Sequence, residues 1–518
     1  MLNQIDFFVI AIYLGLLIGL GFFISLRKQH STDLFLAGRN LKWPTIGLSI
    51  FGTNISPMMM ISSAGVAYAY GMVANNFEWL AWIFLLIFAF IFLPFYLKTK
   101  IVTMPQFIEM RYNKSTRNIL SWFMVLQIVI GIGSVLYAGG LLLSQIVGWP
   151  LWVCIIVVAT ISASFTITGG LEAVTVTDSF QAIFMILACS AMVWIGLEEL
   201  GGFSELRKSV PDSYWHLFRP ADDPYYPWPA IVLGYPVMAI WYWCTNQTIV
   251  QRSLAAKNIY HGQLGVVFTS YLKLLVPVIF FLPGLICKAL HPNLSDADEA
   301  FMTMVGNYLP HGVIGLIVSV LIAALISTVN SMLNSGSAIF TIDIYQRYMK
   351  QGLSKKQETS VGRWSTLIGT VLSVLVAFGL SNVKGMNLFD LINTIFSFLS
   401  PSLAVIFLFG VFVKKTSSKA AFYTLIFGNI PGLVIGIMYL AQYPTRDFWP
   451  HFLLMAFYLF IALSVLISVL SFLFPDRGRT EYDIFKIVEN QEKGNPKLIW
   501  VLWGVLASIM VTLYLIFF

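Results

Sequence analysis

Apolar runs of about 20 residues recur from one end of this chain to the other, without the strict alternation of half-buried strands. Each run is long enough to cross roughly 30 Å of hydrocarbon as a helix. Fourteen spans are predicted, at about 5–26, 44–70, 78–97, 119–147, 151–167, 178–197, 230–250, 262–290, 314–343, 361–380, 388–413, 420–440, 449–474 and 498–517. In lipid the backbone must satisfy its own polar groups, and long unalternated runs do so as helices rather than as a barrel. The first run, Ile5–Leu26, lacks a basic leader and a small-residue cleavage site, which predicts a retained helix.

Polar residues invade the pattern at a few places. Span 2 reads Gly47-Leu-Ser-Ile-Phe-Gly-Thr-Asn54-Ile-Ser-Pro57, with a proline in mid-run. Span 7 reads Gly234-Tyr-Pro236-Val-Met-Ala-Ile-Trp-Tyr-Trp-Cys-Thr-Asn246-Gln247 and carries a similar interruption. The two lie five spans apart, so each could open one half of a five-plus-five inverted repeat. Paired interruptions of this kind point to a transporter's binding site, whereas single proline kinks are ordinary in membrane helices. Span 9 contains Ser327-Thr328-Val-Asn330-Ser331. Small hydroxyls allow close helix packing, and they equally supply hard oxygen ligands for a monovalent cation.

Two charges inside runs stand out. Lys273 lies within Gly265–Leu282, and Glu78 opens span 3. A lysine at mid-membrane costs about 2.5–3.5 kcal/mol on insertion scales, so such residues face a cavity, a partner or a substrate. A purely structural ion pair is the competing reading.

Composition agrees with the pattern. Of 518 residues, 58% are hydrophobic and only 11% charged, unlike any soluble domain of this length. Cys154, Cys189, Cys244 and Cys287 show no CxxC spacing, which predicts neither a disulfide framework nor a metal site. The six histidines fall in loops or at helix ends, against a haem-carrying bundle. No HExxH, GxSxG, P-loop or Rossmann pattern appears in a suitable context, against an enzyme. The net charge of +7 reads as topology rather than nucleic-acid binding. Arg27, Lys28, Arg39 and Lys42 follow span 1. Lys98, Lys100, Arg111, Lys114 and Arg117 follow span 3, and Arg252 and Lys257 follow span 7. Arg347, Lys350, Lys355, Lys356 and Arg363 follow span 9, and Lys414, Lys415 and Lys419 follow span 11. Arg477, Arg479, Lys486, Lys493 and Lys497 follow span 13. The facing loops are acidic, with Glu198, Glu199, Glu205, Asp212, Asp222 and Asp223 in one and Asp296, Asp298 and Glu299 in another. The positive-inside rule then predicts an even span count with both termini outside an inner, plasma membrane.

Several longer motifs carry a resemblance. They are Phe35-Leu-Ala-Gly-Arg39, Thr168-Gly-Gly-Leu-Glu-Ala-Val-Thr-Val-Thr-Asp178-Ser-Phe-Gln181, Trp241–Asn258, and Ser331-Met-Leu-Asn-Ser followed by Phe340-Thr-Ile-Asp343-Ile-Tyr. Together they resemble the sodium/solute symporter family. His216-Leu-Phe-Arg219 and Pro227-Trp-Pro229 point to its sodium/glucose cotransporter branch. The resemblance implies an all-α integral membrane protein with a leucine-transporter-like core at 44–415, an extra helix and loop at 1–43, and three helices at 416–518.

It also implies sodium-coupled uptake of a sugar or polyol by alternating access, with Na+ as coupling ion and membrane lipid as surroundings. The sodium site would fall on the carbonyls of Gly52, Ile55 and Ala324 and the hydroxyls of Ser327 and Thr328. The sugar site would use Asn54, Glu78, Tyr242, Trp243 and Lys273, with Tyr242 as inner gate and Phe77 as outer gate. A second sodium would lie near Asp178, Asn330 and Ser331. Four positions depart from the sugar carriers: Met59 replaces histidine or glutamine, Ala239 replaces asparagine, Ala81 replaces serine, and Asn393 replaces glutamine. The resulting site is less polar than a galactose site. Uptake of an acidic or amino-acid-like solute is the alternative within the same fold, with a transporter-like sensor as a further one. Glu78 argues against an anion, and only about 20 polar residues separate the last two spans.

Overall fold

The computed structural model describes residues 2–27, 33–349, 352–382, 388–476 and 496–518. Of the basic loop residues, Lys28, Lys350, Arg477, Arg479, Lys486 and Lys493 lie outside the described residues. The chain is helical throughout its spans. The elements used below are α1 (Gln4–Arg27), α2 (Trp43–Asn54), α3 (Pro57–Tyr70), α4 (Asn76–Trp79), α5 (Lys114–Val147) and α6 (Leu151–Leu200). They continue as α7 (Tyr235–Ala239), α8 (Gln247–Leu254), α9 (Ile259–Lys273), α10 (Val313–Ile339), α11 (Lys355–Leu380), α12 (Leu388–Phe412), α13 (Ser418–Leu440), α14 (Phe452–Leu473) and α15 (Pro496–Ile516).

Eleven helices among the described residues are long and apolar enough to cross a membrane, against fourteen spans expected. The difference sits in spans 2, 5 and 7. Span 2 is split, and its second half joins span 3 in one apolar stretch, Pro57–Lys98. Spans 5 and 7 appear as the shorter apolar helices Leu151–Ser164 and Ala230–Thr245. Spans 5 and 6 are moreover continuous within α6, which has 50 residues. The expected loop after Ile167 contains no proline, and its Gly169-Gly170 pair weakens a helix without removing a backbone donor.

Span 2 breaks where expected. α2 ends at Asn54, Ile55 and Ser56 are extended, and Pro57 starts α3 in the first turn, where its missing N–H costs nothing. The Ser56 hydroxyl accepts from the Met59 N–H at 3.2 Å and caps the new helix. Span 7 breaks later than Pro236 suggested. That proline lies inside the apolar helix Ala230–Thr245, just beyond its opening π segment Ala230–Gly234, and the helix runs on through a second π segment, Ile240–Thr245, to an extended Asn246. The Asn246 side chain then accepts from the Thr248 N–H at 2.9 Å and caps α8. An asparagine cap, rather than a proline, makes the second break.

Packing holds these breaks in the centre. A Cβ on Gly47 of α2 would lie 2.9 Å from the Gly265 carbonyl of α9, so the two helices touch backbone to backbone. A Cβ on Gly52 would lie 2.9 Å from the Asp178 carbonyl of α6. The N-terminal helix is tied in through Asp6, which is fully buried. Its carboxylate accepts from the N–H groups of Gly312 (2.7 Å) and Gly315 (3.0 Å), two of the free donors at the start of α10.

Several basic residues read as loop charges also have structural partners. Arg111 donates to the carbonyls of Gly410 (2.7 Å) and Val413 (2.8 Å), closing the end of α12. Arg252 is the clearest correction. It was assigned to the loop after span 7, but it lies in α8 and is 0% exposed.

Candidate functional site

The break in span 2 faces a cavity of about 150 Å³. Asn54, the last residue of α2, stands at one end of a hydrogen-bonded set. Lys273 Nζ donates to Asn54 Oδ1 and to Glu78 Oε2, and Asn54 Nδ2 donates to the Tyr242 hydroxyl at 3.1 Å. The ammonium also sits over the Trp243 ring, 4.9 Å from its centroid. Lys273 is 1% exposed and Glu78 is 6% exposed. A pair this deep is tolerable only because each charge is matched and hydrogen-bonded. Local backbone explains both positions. Lys273 ends α9 four residues before Pro277, which has no N–H to offer the Lys273 carbonyl. Glu78 lies in α4, a single turn held by Asn76. Asn76 donates to the Val73 carbonyl at 2.9 Å and accepts from the Tyr514 hydroxyl of α15 at 2.9 Å.

Glu78, Asn54, Tyr242, Trp243, Met59, Ala239, Asn393 and Phe77 all line this cavity. Lys273 reaches it through Glu78 and Asn54. Ala81 is fully buried nearby in the chain and is not among the lining residues. Phe77 meets Phe389 edge-to-face at 5.2 Å, and Tyr235 donates to the Phe77 carbonyl at 2.7 Å. Above them, the Tyr226 hydroxyl donates to the carboxylate of Asp390.

A second cavity, of about 120 Å³, is lined in part by Thr53, Asn246, Thr248 and Thr328. Asn54, Ser56, Met58, Trp241, Tyr242, Ile392 and Phe396 line both cavities, so the partition between them is one side chain thick. Trp241 stacks on Phe396 at 5.0 Å, and the Tyr242–Asn54 bond closes the remainder. Two cavities separated by a thin aromatic partition suit a path that opens to one side at a time.

The oxygen-rich region lies where α2, α6 and α10 meet. Asp178 accepts from Ser49 (2.8 Å), Thr53 (3.1 Å), Ser327 and Arg252 (3.2 Å). Thr328 is different: its hydroxyl is buried and has no hydrogen-bond partner among the described residues. Gly52 packs on the Asp178 backbone, Ile55 is the extended residue after α2, and Ala324 lies one turn before Thr328 on α10. The second-sodium residues part company. Ser331 accepts from Arg252 at 2.6 Å. Asn330 instead accepts from the Thr166 hydroxyl at 3.1 Å, and exchanging its amide oxygen and nitrogen would let it donate to the Ser162 (2.7 Å) and Ile326 (3.1 Å) carbonyls.

Sequence reasoning missed part of the cavity wall: Met58, Ser62, Tyr235, Met238, Phe389, Ile392 and Phe396. Helical spacing was the available signal. Met238 lies four residues before Tyr242, and Phe389 and Phe396 lie four before and three after Asn393, on the same helix faces.

Residues 34–428 match the sequence model of the sodium:solute symporter family. The chain belongs to that family. It is 34% identical over 452 residues to a sodium/glucose cotransporter of Vibrio parahaemolyticus, covering 81% of this chain and 83% of that protein. It is 32% identical over 523 residues to sodium/glucose cotransporter 4 of Mus musculus, covering 91% of this chain and 76% of that protein. Among solved structures, a substrate-bound, outward-open Na+-coupled sialic acid symporter superposes with a TM-score of 0.79 at 22% identity. That match covers 91% of this chain and 98% of that one, and it shows a shared fold. As a family member the chain is a multi-pass membrane transporter, not an enzyme, and sodium is its coupling ion.

Proposed function

We propose that this symporter couples sodium entry to uptake of a monosaccharide or polyol, bound in the cavity at the break of span 2. The observation that carries the reading is the Lys273–Glu78–Asn54 set lining an aromatic-walled cavity in mid-membrane. Sugar hydroxyls donate and accept at once, so a carboxylate and an ammonium side by side suit them. Tyr242 and Trp243 offer ring faces to the apolar faces of a pyranose. Asn54, Glu78, Lys273, Tyr242, Trp243, Met59 and Asn393 form the sugar site. Phe77 serves as outer gate and Tyr242 as inner gate.

Sodium is held by the carbonyls of Gly52, Ile55 and Ala324 and the hydroxyls of Ser327 and Thr328. The unpartnered Thr328 hydroxyl supports this choice, since a buried oxygen without a donor is suited to a cation. Ser327, now bonded to Asp178, would turn toward the ion on binding. A second sodium near Asp178, Asn330 and Ser331 would have to displace the Arg252 contacts and turn the Asn330 amide. The architecture in this reading is a five-plus-five repeat over residues 44–415, preceded by the 1–43 helix and loop and followed by three helices at 416–518. It has fourteen crossings in the plasma membrane and both termini outside, which requires α6 to turn back between spans 5 and 6.

The test is uptake of labelled sugar into proteoliposomes with sodium outside, then with potassium or choline. Sodium should be required, and equal rates would reject the coupling. Reversal potentials give the ion-to-sugar ratio. With a tenfold gradient and 100 mV, one sodium supports roughly 500-fold accumulation and two on the order of 10⁵-fold. The structural likeness to the sialic acid symporter favours no anionic substrate here, because Lys273 is already matched by Glu78.

A further inference from the structure

We propose that the sugar taken by this cavity is a 6-deoxyhexose, with its methyl group seated against a wall of methionines. The inference rests on the sugar reading above and narrows it.

The cavity has two unlike parts. Its strong hydrogen-bonding groups form one connected set: Lys273 to Glu78 and Asn54, and Asn54 to Tyr242. The other part comes from α3 and α7, each of which packs on α12, and from α12 itself. It contributes Met58, Met59, Met238, Ala239 and Ile392. Thioethers accept weakly and donate nothing, and the alanine and isoleucine side chains do neither. The remaining polar groups of this wall are partly committed. Asn393 donates one N–H to the Phe389 carbonyl at 2.9 Å, and the Ser56 hydroxyl accepts from Met59. Ser62 and Tyr235, whose hydroxyl donates to the Phe77 carbonyl at 2.7 Å, complete the wall's polar inventory.

A hexopyranose brings a primary hydroxyl on a flexible arm in addition to its ring hydroxyls. In this cavity the connected set can serve one edge of the ring, and the arm must then lie along the methionines. Burying that hydroxyl without partners is unfavourable. Replacing it by a methyl removes the unmatched group and adds apolar contact with polarisable sulfur. A pentose avoids the hydroxyl too, but it leaves the space beside the methionines unfilled. Of these three, the 6-deoxyhexose fits both parts best. The expected discrimination against the parent hexose is about tenfold to a hundredfold.

The experiment uses the full-length protein in sodium buffer and matched sugars differing only at O6. The pairs are L-fucose with L-galactose, L-rhamnose with L-mannose, and 6-deoxy-D-glucose with D-glucose, with D-xylose alongside. Binding is read by sodium-dependent quenching of tryptophan fluorescence, since Trp241 and Trp243 line the cavity. In the pair that binds best, the 6-deoxy sugar should bind at least about tenfold more tightly than its parent. Parent hexoses binding as tightly as their 6-deoxy forms would overturn the inference while leaving the sugar reading intact. So would D-xylose matching the best 6-deoxyhexose. Sodium-dependent binding of no sugar would overturn both. The near-isosteric variants Met59→Gln and Met238→Gln offer a primary hydroxyl an amide. At least one should narrow the ratio between the two members of the pair several-fold, and an unchanged ratio in both folded variants counts against the methionine seat.

Discussion

Two of the ion pairs buried among the described residues, Asp178–Arg252 and Glu78–Lys273, differ in their surroundings. Asp178 and Arg252 are both 0% exposed and are closed in by partners. The guanidinium bonds to Asp178, Ser49, Ser331 and the Thr248 carbonyl, drawing α2, α6, α8 and α10 together. Glu78 and Lys273 have fewer partners, and Glu78 lines a cavity. A pair whose capacity is filled by protein fixes helices in place. A pair beside a cavity keeps capacity for a ligand and can exchange one partner for another. The same chemistry thus gives a clamp in one place and the proposed binding site in the other.

The largest effect is expected at the clamp. Arg252→Ala leaves a buried carboxylate unmatched, and breaking such a pair costs about 3–5 kcal/mol. Folded yield and melting temperature, followed by fluorescence-detected size exclusion, should drop sharply. If the variant melts like the parent, the contrast between clamp and site is lost.

At the cavity, Glu78→Gln and Lys273→Ala should spare the fold and weaken sugar binding. Each leaves polar groups of the complex unpaired, at about 1–3 kcal/mol, or roughly five- to 150-fold in Kd. Titrating sugar against the purified variants measures this directly. Loss of folding in both, or normal sugar affinity in both, would make this pair a second clamp.

Thr328→Val gives a smaller and more selective effect. The hydroxyl has no protein partner to lose, so stability should hold or rise. The sodium concentration for half-maximal uptake should increase about five- to tenfold, as expected for one lost oxygen ligand at about 1 kcal/mol. An unchanged sodium dependence would remove Thr328 from the ion site.

The legible part of this molecule was its polar interruptions in apolar runs. Asn54, Glu78 and Lys273 could be singled out because each breaks a hydrophobic pattern, and the cavity brings Asn54 and Glu78 together, with Lys273 bonded to both. Three things were not legible. A proline removes a donor, so Pro236 marks the expected break in span 7, whereas the helix Ala230–Thr245 carries that proline in its interior and Asn246 supplies the competing cap. Arg252 was taken as a loop charge because its partner Asp178 is 74 residues away, and no local pattern announces that pairing. The apolar wall of α3, α7 and α12 was hidden for the opposite reason. A membrane helix is apolar on its lipid side too, so hydrophobicity does not tell the face toward the cavity from the face toward lipid.

The smallest effect concerns the loop above the cavity, and it tests whether the outer gate serves the site and not the clamp. His451 caps the start of α14 and accepts from the Leu453 N–H at 3.3 Å. Its ring packs on Phe452 at 4.3 Å and beside Tyr226 at 5.4 Å. Tyr226 in turn donates to Asp390, next to Phe389, which packs on the proposed outer gate Phe77 at 5.2 Å. Burial lowers the imidazole pKa to about 4, against the partial offset of the Tyr225 backbone and the Asp223 carboxylate. The folded state therefore disfavours the charged ring. The stabilisation is fully present above the ordinary histidine value of about 6.5 and is lost as pH falls toward 4. Because the ring is partly exposed, the loss at this loop is about 1–2 kcal/mol. Between pH 6.5 and 4 the sugar off-rate should rise several-fold in the parent protein. His451→Gln keeps an acceptor for the cap but has no proton to gain, so it should flatten that rise. Its melting temperature at neutral pH should stay near that of the parent, since the Arg252 clamp is untouched. An off-rate that climbs equally in both proteins would assign the pH response to another group and detach this loop from the gate.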